Sequence, residues 1–437
     1  MLREIRELYS DQVSRPGGHN IGPVGLGSFQ SVGYHRPGGN NMSALGFGSF
    51  RSMTHLDLMS DPPNEDRLHL SLELGDQCNL HCAHCIYDDG LKRRPIPDDL
   101  LVARLHELIS AGIRPTYGTF AGKEPSLFAR AKPEMFQKMA GLMAGPATVR
   151  IMMTNGLLLG EQMGWLPEYI DCLDVSLDGD EAEHDRNRRR PGAFRQTWDN
   201  LVLVAKKFRE VGIIATATSN PEAPTADGIL ALQQRLAKTF DPNGNVGLSL
   251  SLYYDRPGCS YLLKAEELIA LFKTLQAGPF PVRVLWTANY AHLTDPVLEA
   301  LGCDGIGYDR LTGLPLLTSG SLELVAFNLL LTPTVSLRIA TDGLIYEGCN
   351  YLTYGHAARW SAIGDITSES LVEIYRRVQR QTKLVEIPEV CRGRDCTALC
   401  RGGDLSTGRL EHRQALDPYC AKIGSRRSGA LALSVIN

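Results

Sequence analysis

The chain has 437 residues, 43% hydrophobic and 22% charged, which fits a globular protein with a sizeable core and one or two appended units and excludes a fibrous or disordered chain. Its net charge of −4 is small and no basic tract exceeds Arg188-Arg-Arg190, so nucleic acid is set aside as a main partner. No apolar run approaches the ~20 residues of a membrane span, and Met1-Leu-Arg-Glu-Ile-Arg-Glu lacks the basic-then-apolar order of a secretory signal; the eleven cysteines are expected as ligands in a reducing cytoplasm, with no membrane partner.

Residues 1–65 read as a Gly-rich amino-terminal extension with an internal repeat of period 21. Arg15-Pro-Gly-Gly-His-Asn and Gly25-Leu-Gly-Ser-Phe-Gln-Ser31 recur as Arg36-Pro-Gly-Gly-Asn-Asn and Gly46-Phe-Gly-Ser-Phe-Arg-Ser52. Two copies are too few for a solenoid. The composition suits a loosely ordered extension packed through Phe29 and Phe50; the alternative is that each copy folds over the active site or imitates a peptide substrate. Gly25-x-Gly27 is too incomplete for a nucleotide loop, having no strand before it and no helix after it.

From residue 66 to 290 short apolar runs alternate with helical stretches, the pattern of parallel βαβ units. The expected strands are 68–74, 116–120, 149–153, 172–177, 213–218, 246–252 and 282–286; the expected helices are 98–111, 135–144, 197–211, 226–239 and 265–277. Six or seven such units, with motifs at the strands' carboxyl ends, predict an open α/β barrel with its site at that face. Residues 291–334 read as a connection. A unit over 335–425 follows: a β-hairpin around Asp342-Gly343, then Cys349, then Ile363-Gly-Asp-Ile366, a helix over 370–381, and the cluster Cys391, Cys396, Cys400 and Cys420. Residues 426–437 form a tail.

The segment Cys78-Asn-Leu-His-Cys82-Ala-His-Cys85, just after the first strand, is the most informative stretch. Its three thiolates can ligate three irons of a four-iron cluster and leave the fourth open for chemistry. A zinc site remains an alternative, because His81 and His84 are interleaved. Cys349, Cys391, Cys396, Cys400 and Cys420 can fill one auxiliary cluster but not two. Cys349, Cys396, Cys400 and Cys420 are the favoured set, and a zinc ribbon is the competing reading. Cys172, Cys259 and Cys303 are isolated, and Cys172 reads as core.

These residues resemble the radical S-adenosylmethionine (radical SAM) superfamily. Gly122-Lys-Glu-Pro125 is similar to its GGEP motif, with Lys123 replacing a glycine. Met152-Met-Thr-Asn-Gly156, Asp174-Val-Ser-Leu-Asp-Gly179, His184-Asp185, Arg188 and Pro191-Gly-Ala-Phe194 follow in the superfamily's order. The carboxyl-terminal cysteines resemble a SPASM or twitch domain, reduced because a cysteine expected beyond Gly364 is missing. The resemblance implies a partial (β/α)6 TIM barrel with a small cysteine-rich α+β domain. It also implies three cofactors: S-adenosylmethionine, a SAM-binding 4Fe-4S cluster on Cys78, Cys82 and Cys85, and at least one auxiliary 4Fe-4S cluster.

By the same resemblance Gly122 and Glu124 serve the amino group of SAM, Arg188 its carboxylate, Ser176 and Asp178 the ribose hydroxyls, and Asn155 polar contacts nearby. The implied activity is an oxidoreductase that cleaves SAM to a 5′-deoxyadenosyl radical, abstracts a substrate hydrogen, and oxidises or cross-links a peptide in natural-product maturation. A flavodoxin or ferredoxin is the implied reductant. A dehydrogenase or epimerase of a sugar or aminocyclitol-type metabolite is the second reading, with Cys259 or Cys303 as hydrogen donor for epimerisation. A non-catalytic electron-transfer protein is the third. Asp255, Asp304 and Asp342 are candidate bases that nothing in the sequence separates.

Overall fold

A computed structural model of the protein describes residues 68–85, 94–252, 261–286, 290, 293–302, 305–308, 315–326, 335–347 and 362–382. The extension with its repeat, Asp255, Asp304, Cys259, Cys303, Cys349, Cys391, Cys396, Cys400, Cys420 and the tail lie outside the described residues.

Strand β1 (Leu68–Glu73) sets the pattern. Leu68, Leu70 and Leu72 join the main hydrophobic core, and the alternation of a strand turns His69, Ser71 and Glu73 to the opposite face. All six residues are buried, so both faces are covered and the strand belongs inside a parallel sheet. Helix α1 (Asp98–Ser110) carries Leu101, Val102, Leu105 and Leu108 on one buried stripe, with Asp98 and Asp99 at its positive amino end. Strand β2 (Tyr117–Ala121), helices α2 (Pro125–Ala131) and α3 (Pro133–Met143) and strand β3 (Val149–Thr154) come next. After the short helices α4 (Leu159–Gln162) and α5 (Leu166–Tyr169) come strand β4 (Cys172–Ser176), helices α6 (Glu181–Arg188) and α7 (Ala193–Val204), and strand β5 (Glu210–Ala217). Helix α8 (Ala226–Thr239), strand β6 (Val246–Leu252), helix α9 (Ala265–Gln276) and strand β7 (Val282–Trp286) complete the series.

Strands β1 to β7 are neighbours in chain order and every pair is parallel, which places their carboxyl ends on one rim. The sheet does not close on itself; the architecture is an open α/β barrel.

Three features depart from expectation. Helix α7 stops at Val204, and β5 begins at Glu210, where the expected helix ran on to Val211. Val211 and Ile213 are buried and bridge β4 to β6, so strand pairing overrides the local helical pattern. The connecting segment also supplies structure. It forms helix α10 (Thr294–Leu301) and strands β8 (Gly305–Tyr308), β9 (Pro315–Ser319) and β10 (Leu322–Ala326), and β10 adds parallel to β7. The hairpin expected to open a separate unit continues the barrel sheet. Strand β11 (Val335–Ile339) pairs parallel with β1, and β12 (Leu344–Glu347) and β13 (Gly364–Asp365) extend beyond it. Helix α11 (Leu371–Thr382) follows, and Arg104 of α1 ties the two regions by donating from Nε to the Ile366 carbonyl at 2.9 Å. Among the described residues no helix is long and apolar enough to cross a membrane.

Candidate active site at the carboxyl ends of the strands

The cysteine loop leaves the carboxyl end of β1 and is held from three sides. Ala83 N donates to the Asn187 carbonyl at 2.8 Å, and Asn220 Nδ2 donates to the Ala83 carbonyl at 3.1 Å. His84 Nδ1 and Asn187 Oδ1 are 2.9 Å apart. Leu80 is buried with Leu157 and Ala193, and Cys78 and Cys82 pack against that cluster. The loop is thus fastened to the ends of β3, β5 and α6 before any ligand arrives, and all three thiols are half-buried. Burial pushes the Cys78 thiol up to about 11. Without metal it is protonated at neutral pH, and ligation must displace that proton.

Gly122, at the end of β2, has φ of +113°, and a Cβ there would meet the Glu73 Cα and Leu74 N at 3.4 Å. Glycine is required where the β2 end approaches the start of the cysteine loop. Glu124 caps α2 and is 1% exposed. Its Oε1 accepts from Ser126 N at 3.0 Å and Thr154 Oγ1 at 2.7 Å, and its Oε2 accepts from Asn155 N at 2.8 Å. Burial raises its pKa above the ordinary value against these three donors. The carboxylate therefore fastens the end of β2 to the end of β3. Asn155 reaches the loop itself, donating from Nδ2 to Asn79 Oδ1 at 2.7 Å.

Asp178 is fully buried. Its Oδ1 accepts from Thr216 N at 2.9 Å, and its Oδ2 accepts from Asn187 Nδ2 at 3.0 Å and Arg188 Nε at 2.7 Å. Burial is the largest influence and opposes its charge, but Arg188, His84, His184 and the Thr216 N–H together outweigh it and hold the carboxyl below its usual range. Arg188 is also buried, and its Nη1 lies 3.5 Å from Cys82 Sγ. In this arrangement Asp178 faces Arg188, Asn187 and β5. Arg188 links the Asp178 carboxylate to the Cys82 thiol. Ser176 is the half-buried last residue of β4. Asp342 lies in the β11–β12 turn, beside Thr341, whose Oγ1 donates to the Gly75 carbonyl at 3.1 Å. Cys172 is buried beside Tyr117 and Ile151.

Gly122, Glu124, Asn155, Ser176 and Asp178 lie at or just beyond the carboxyl ends of their strands, and Arg188 is the last residue of α6. Asn79, Thr154, Asn187 and Asn220 complete the scaffold and were not expected from the sequence. Asn79 and Thr154 had a signal, their places inside the cysteine motif and inside Met152-Met-Thr-Asn-Gly156; Asn187 and Asn220 had none, since one Asn looks like any turn residue.

Among the described residues no three Cys, His, Asp or Glu side chains converge as a single metal ion requires. A zinc ion needs four donors within about 2.3 Å of one point. Three thiols on one loop are also the donor set that gives three irons of a 4Fe-4S cluster one thiolate each.

No protein-family profile matches the chain. GTP 3′,8-cyclase of Lactiplantibacillus plantarum is 30% identical over 148 residues, 32% of this chain and 43% of that protein. GTP 3′,8-cyclase 2 of Mycobacterium bovis is 34% identical over 121 residues, 26% of this chain and 32% of that protein. The matched stretch thus spans less than half the length of these relatives. Streptococcus suis SuiB, solved with its precursor peptide SuiA, superposes with a TM-score of 0.54 at 12% identity, over 81% of this chain and 76% of its own. Native anSMEcpe with bound AdoMet superposes with a TM-score of 0.51 at 19% identity, over 82% and 98%. These similarities show that the chain shares its open α/β barrel with SuiB and anSMEcpe and a stretch of sequence with the GTP 3′,8-cyclases.

Proposed function

We propose that this protein is a radical SAM oxidoreductase acting on a peptide, which it oxidises or cross-links. The carrying observation is the loop of Cys78, Cys82 and Cys85, half-buried and pinned at the carboxyl rim of a parallel barrel. When bound there, a 4Fe-4S cluster and SAM supply a 5′-deoxyadenosyl radical that removes a hydrogen atom from the substrate.

The chain's residues hold and orient these groups. Cys78, Cys82 and Cys85 are the cluster ligands. Arg188, held by Asp178 through Nε and Nη2, directs Nη1 at Cys82 and is the cation for the carboxylate of SAM. Gly122 opens backbone space beside the loop, and Glu124 and Asn155 fix the rim around it. Ser176 offers a hydroxyl at the β4 end for a polar cofactor group. Cys349, Cys391, Cys396, Cys400 and Cys420 supply an auxiliary cluster that accepts the second electron of an oxidation, in a SPASM- or twitch-type unit.

The precursor peptide held by SuiB supports the peptide reading, since the similarity in fold runs over 81% of this chain and so beyond the cysteine loop. The GTP 3′,8-cyclases favour the second reading, a small metabolite substrate. Protein loaded with iron and sulfide without oxygen should show an electron paramagnetic resonance spectrum that changes on adding SAM, and should release 5′-deoxyadenosine on reduction. Cys78→Ala should abolish both. A spectrum indifferent to SAM would sink the proposal.

A further inference from the structure

We infer that Arg189 and Glu222, surface residues outside the cysteine loop, are positioning residues whose ion pair is the clasp that keeps the loop in its ligating shape. That the loop ligates a cluster rests on the reading above; that the clasp holds the loop does not.

The Ala83 peptide, between Cys82 and Cys85, is gripped from two sides. Its N–H donates to the Asn187 carbonyl of α6 at 2.8 Å, and its carbonyl accepts from Asn220 Nδ2, in the segment after β5, at 3.1 Å. The grip lasts only while those two segments stay about one peptide apart. Arg189 and Glu222 span the same gap. Arg189 Nε donates to Glu222 Oε2 at 3.1 Å and Nη2 donates to Oε1 at 2.8 Å, the two parallel bonds of a guanidinium–carboxylate fork. The hydrogen bond from Arg189 holds the Glu222 carboxyl below its ordinary value. Arg189 follows Asn187 by two residues, and Glu222 follows Asn220 by two. Glu222 also sets the Asn220 amide: its N–H donates to Asn220 Oδ1 at 2.9 Å, which leaves Nδ2 aimed at Ala83. Thr225 Oγ1 donates to Glu183 Oε1 at 2.7 Å and ties the same two segments at the start of α6. Loss of the clasp therefore frees the loop end of the helix without detaching the helix.

The backbone at Arg189 points the same way. Arg189 N donates to the Arg186 carbonyl at 3.1 Å and Arg190 N to the Asp185 carbonyl at 3.0 Å, the two bonds of a Schellman close to α6. The residue at that turn is left-handed, with φ of +54°, and glycine is its usual occupant because it has no Cβ to clash. Among the described residues Arg189 is the one residue other than glycine with a positive φ. Glycine would end the helix better, so the arginine is explained by what its side chain reaches.

The test uses the full chain free of iron, with its thiols reduced under nitrogen, and reads the loop without cluster, SAM or turnover. N-Ethylmaleimide labelling of Cys82 and Cys85 is followed on the tryptic peptide 68–92. Arg189→Gly and Glu222→Ala should each label about two- to fivefold faster, the range an exposed ion pair supports, at an unchanged urea midpoint. The direction separates a clasp from a charge effect. Removing a cation alone raises thiol pKa and slows labelling, and removing an anion alone speeds it, whereas opening the clasp speeds both. The double variant should label no faster than the faster single, because one pair is broken once. Arg189→Lys, which keeps a cation opposite Glu222, should label more slowly than Arg189→Gly. Arg195→Ala, which breaks another exposed pair, 3.3 Å to Glu181, should label like the parent. Opposite directions in the two singles, additive effects in the double, parental labelling in both singles, or a fallen urea midpoint that accounts for the faster labelling would overturn the clasp. Each of these can occur while SAM-dependent release of 5′-deoxyadenosine stands, so the two readings fail separately.

Discussion

Arg338 of β11 and Glu73 of β1 lie 265 residues apart in the chain and 2.7 Å apart in space, both buried. The pair locks the carboxyl-terminal hairpin onto the strand that launches the cysteine loop. Removing one partner leaves the other charge buried, so Arg338→Met should lower unfolding free energy by about 3–5 kcal/mol. The double change Glu73→Leu with Arg338→Met should recover most of that loss. Urea unfolding of the two singles and the double closes the cycle; singles within ~0.5 kcal/mol of the parent would refute the clamp.

Asp178→Asn should be comparably costly, about 3–5 kcal/mol, because Arg188 would keep a buried charge with no counter-charge. The amide keeps one acceptor oxygen, so either Thr216 N or Asn187 Nδ2 would lose its acceptor in the same step. The cysteine loop leans on Asn187, so the iron retained after anaerobic loading should fall as well. Full iron content together with parental stability would show that the network is not needed.

His69 gives the acid limb of the stability curve a measurable slope. Burial, with Arg338 nearby, lowers its pKa from 6.5 to about 3. Above pH 6.5 both folded and unfolded chains hold it neutral and its contribution is complete. As pH falls from 6.5 towards 3 only the unfolded chain takes up the proton, so stability drops by about 1.4 kcal/mol per pH unit from this group. His69→Gln should flatten the limb by one proton. An unchanged slope in the variant would assign the acid loss elsewhere.

Gly122→Ala combines a positive φ with contacts at 3.4 Å to the β1 end. The expected cost is about 1–3 kcal/mol, with weaker binding of SAM to the loaded protein because the β2 end presses on the loop. Calorimetric titration with SAM reads the second effect, and parental affinity would count against it.

Cys400→Ala separates the two proposed centres. 5′-Deoxyadenosine should persist, and oxidised product should be lost, because the substrate radical then has no electron acceptor. Full product from this variant would remove the auxiliary role.

Seven parallel strands were legible in the chain because each is a short apolar run bounded by turn residues, and β6 and β7 match expectation to the residue. Helix α6 was not. Its sequence Glu181–Arg188 has no apolar stripe, since the helix turns His184, Asn187 and Arg188 towards the site, and polar side chains leave no periodic mark. Strand β10 escaped for another reason: its partner β7 lies about 40 residues upstream, and pairing at that distance leaves no local signature.

The sequence by itself determined the barrel and the thiol loop, because apolar periodicity and ligand spacing are properties of neighbouring residues. Only the tertiary structure decided which charges meet. The sequence puts Asp178 at a strand end, and the fold sets Arg188 and Asn187 against it in the interior. Glu73 looked like an ordinary strand residue, yet it holds the hairpin. A buried ion needs a partner within hydrogen-bond reach, and which residue supplies it depends on how distant strands are set side by side.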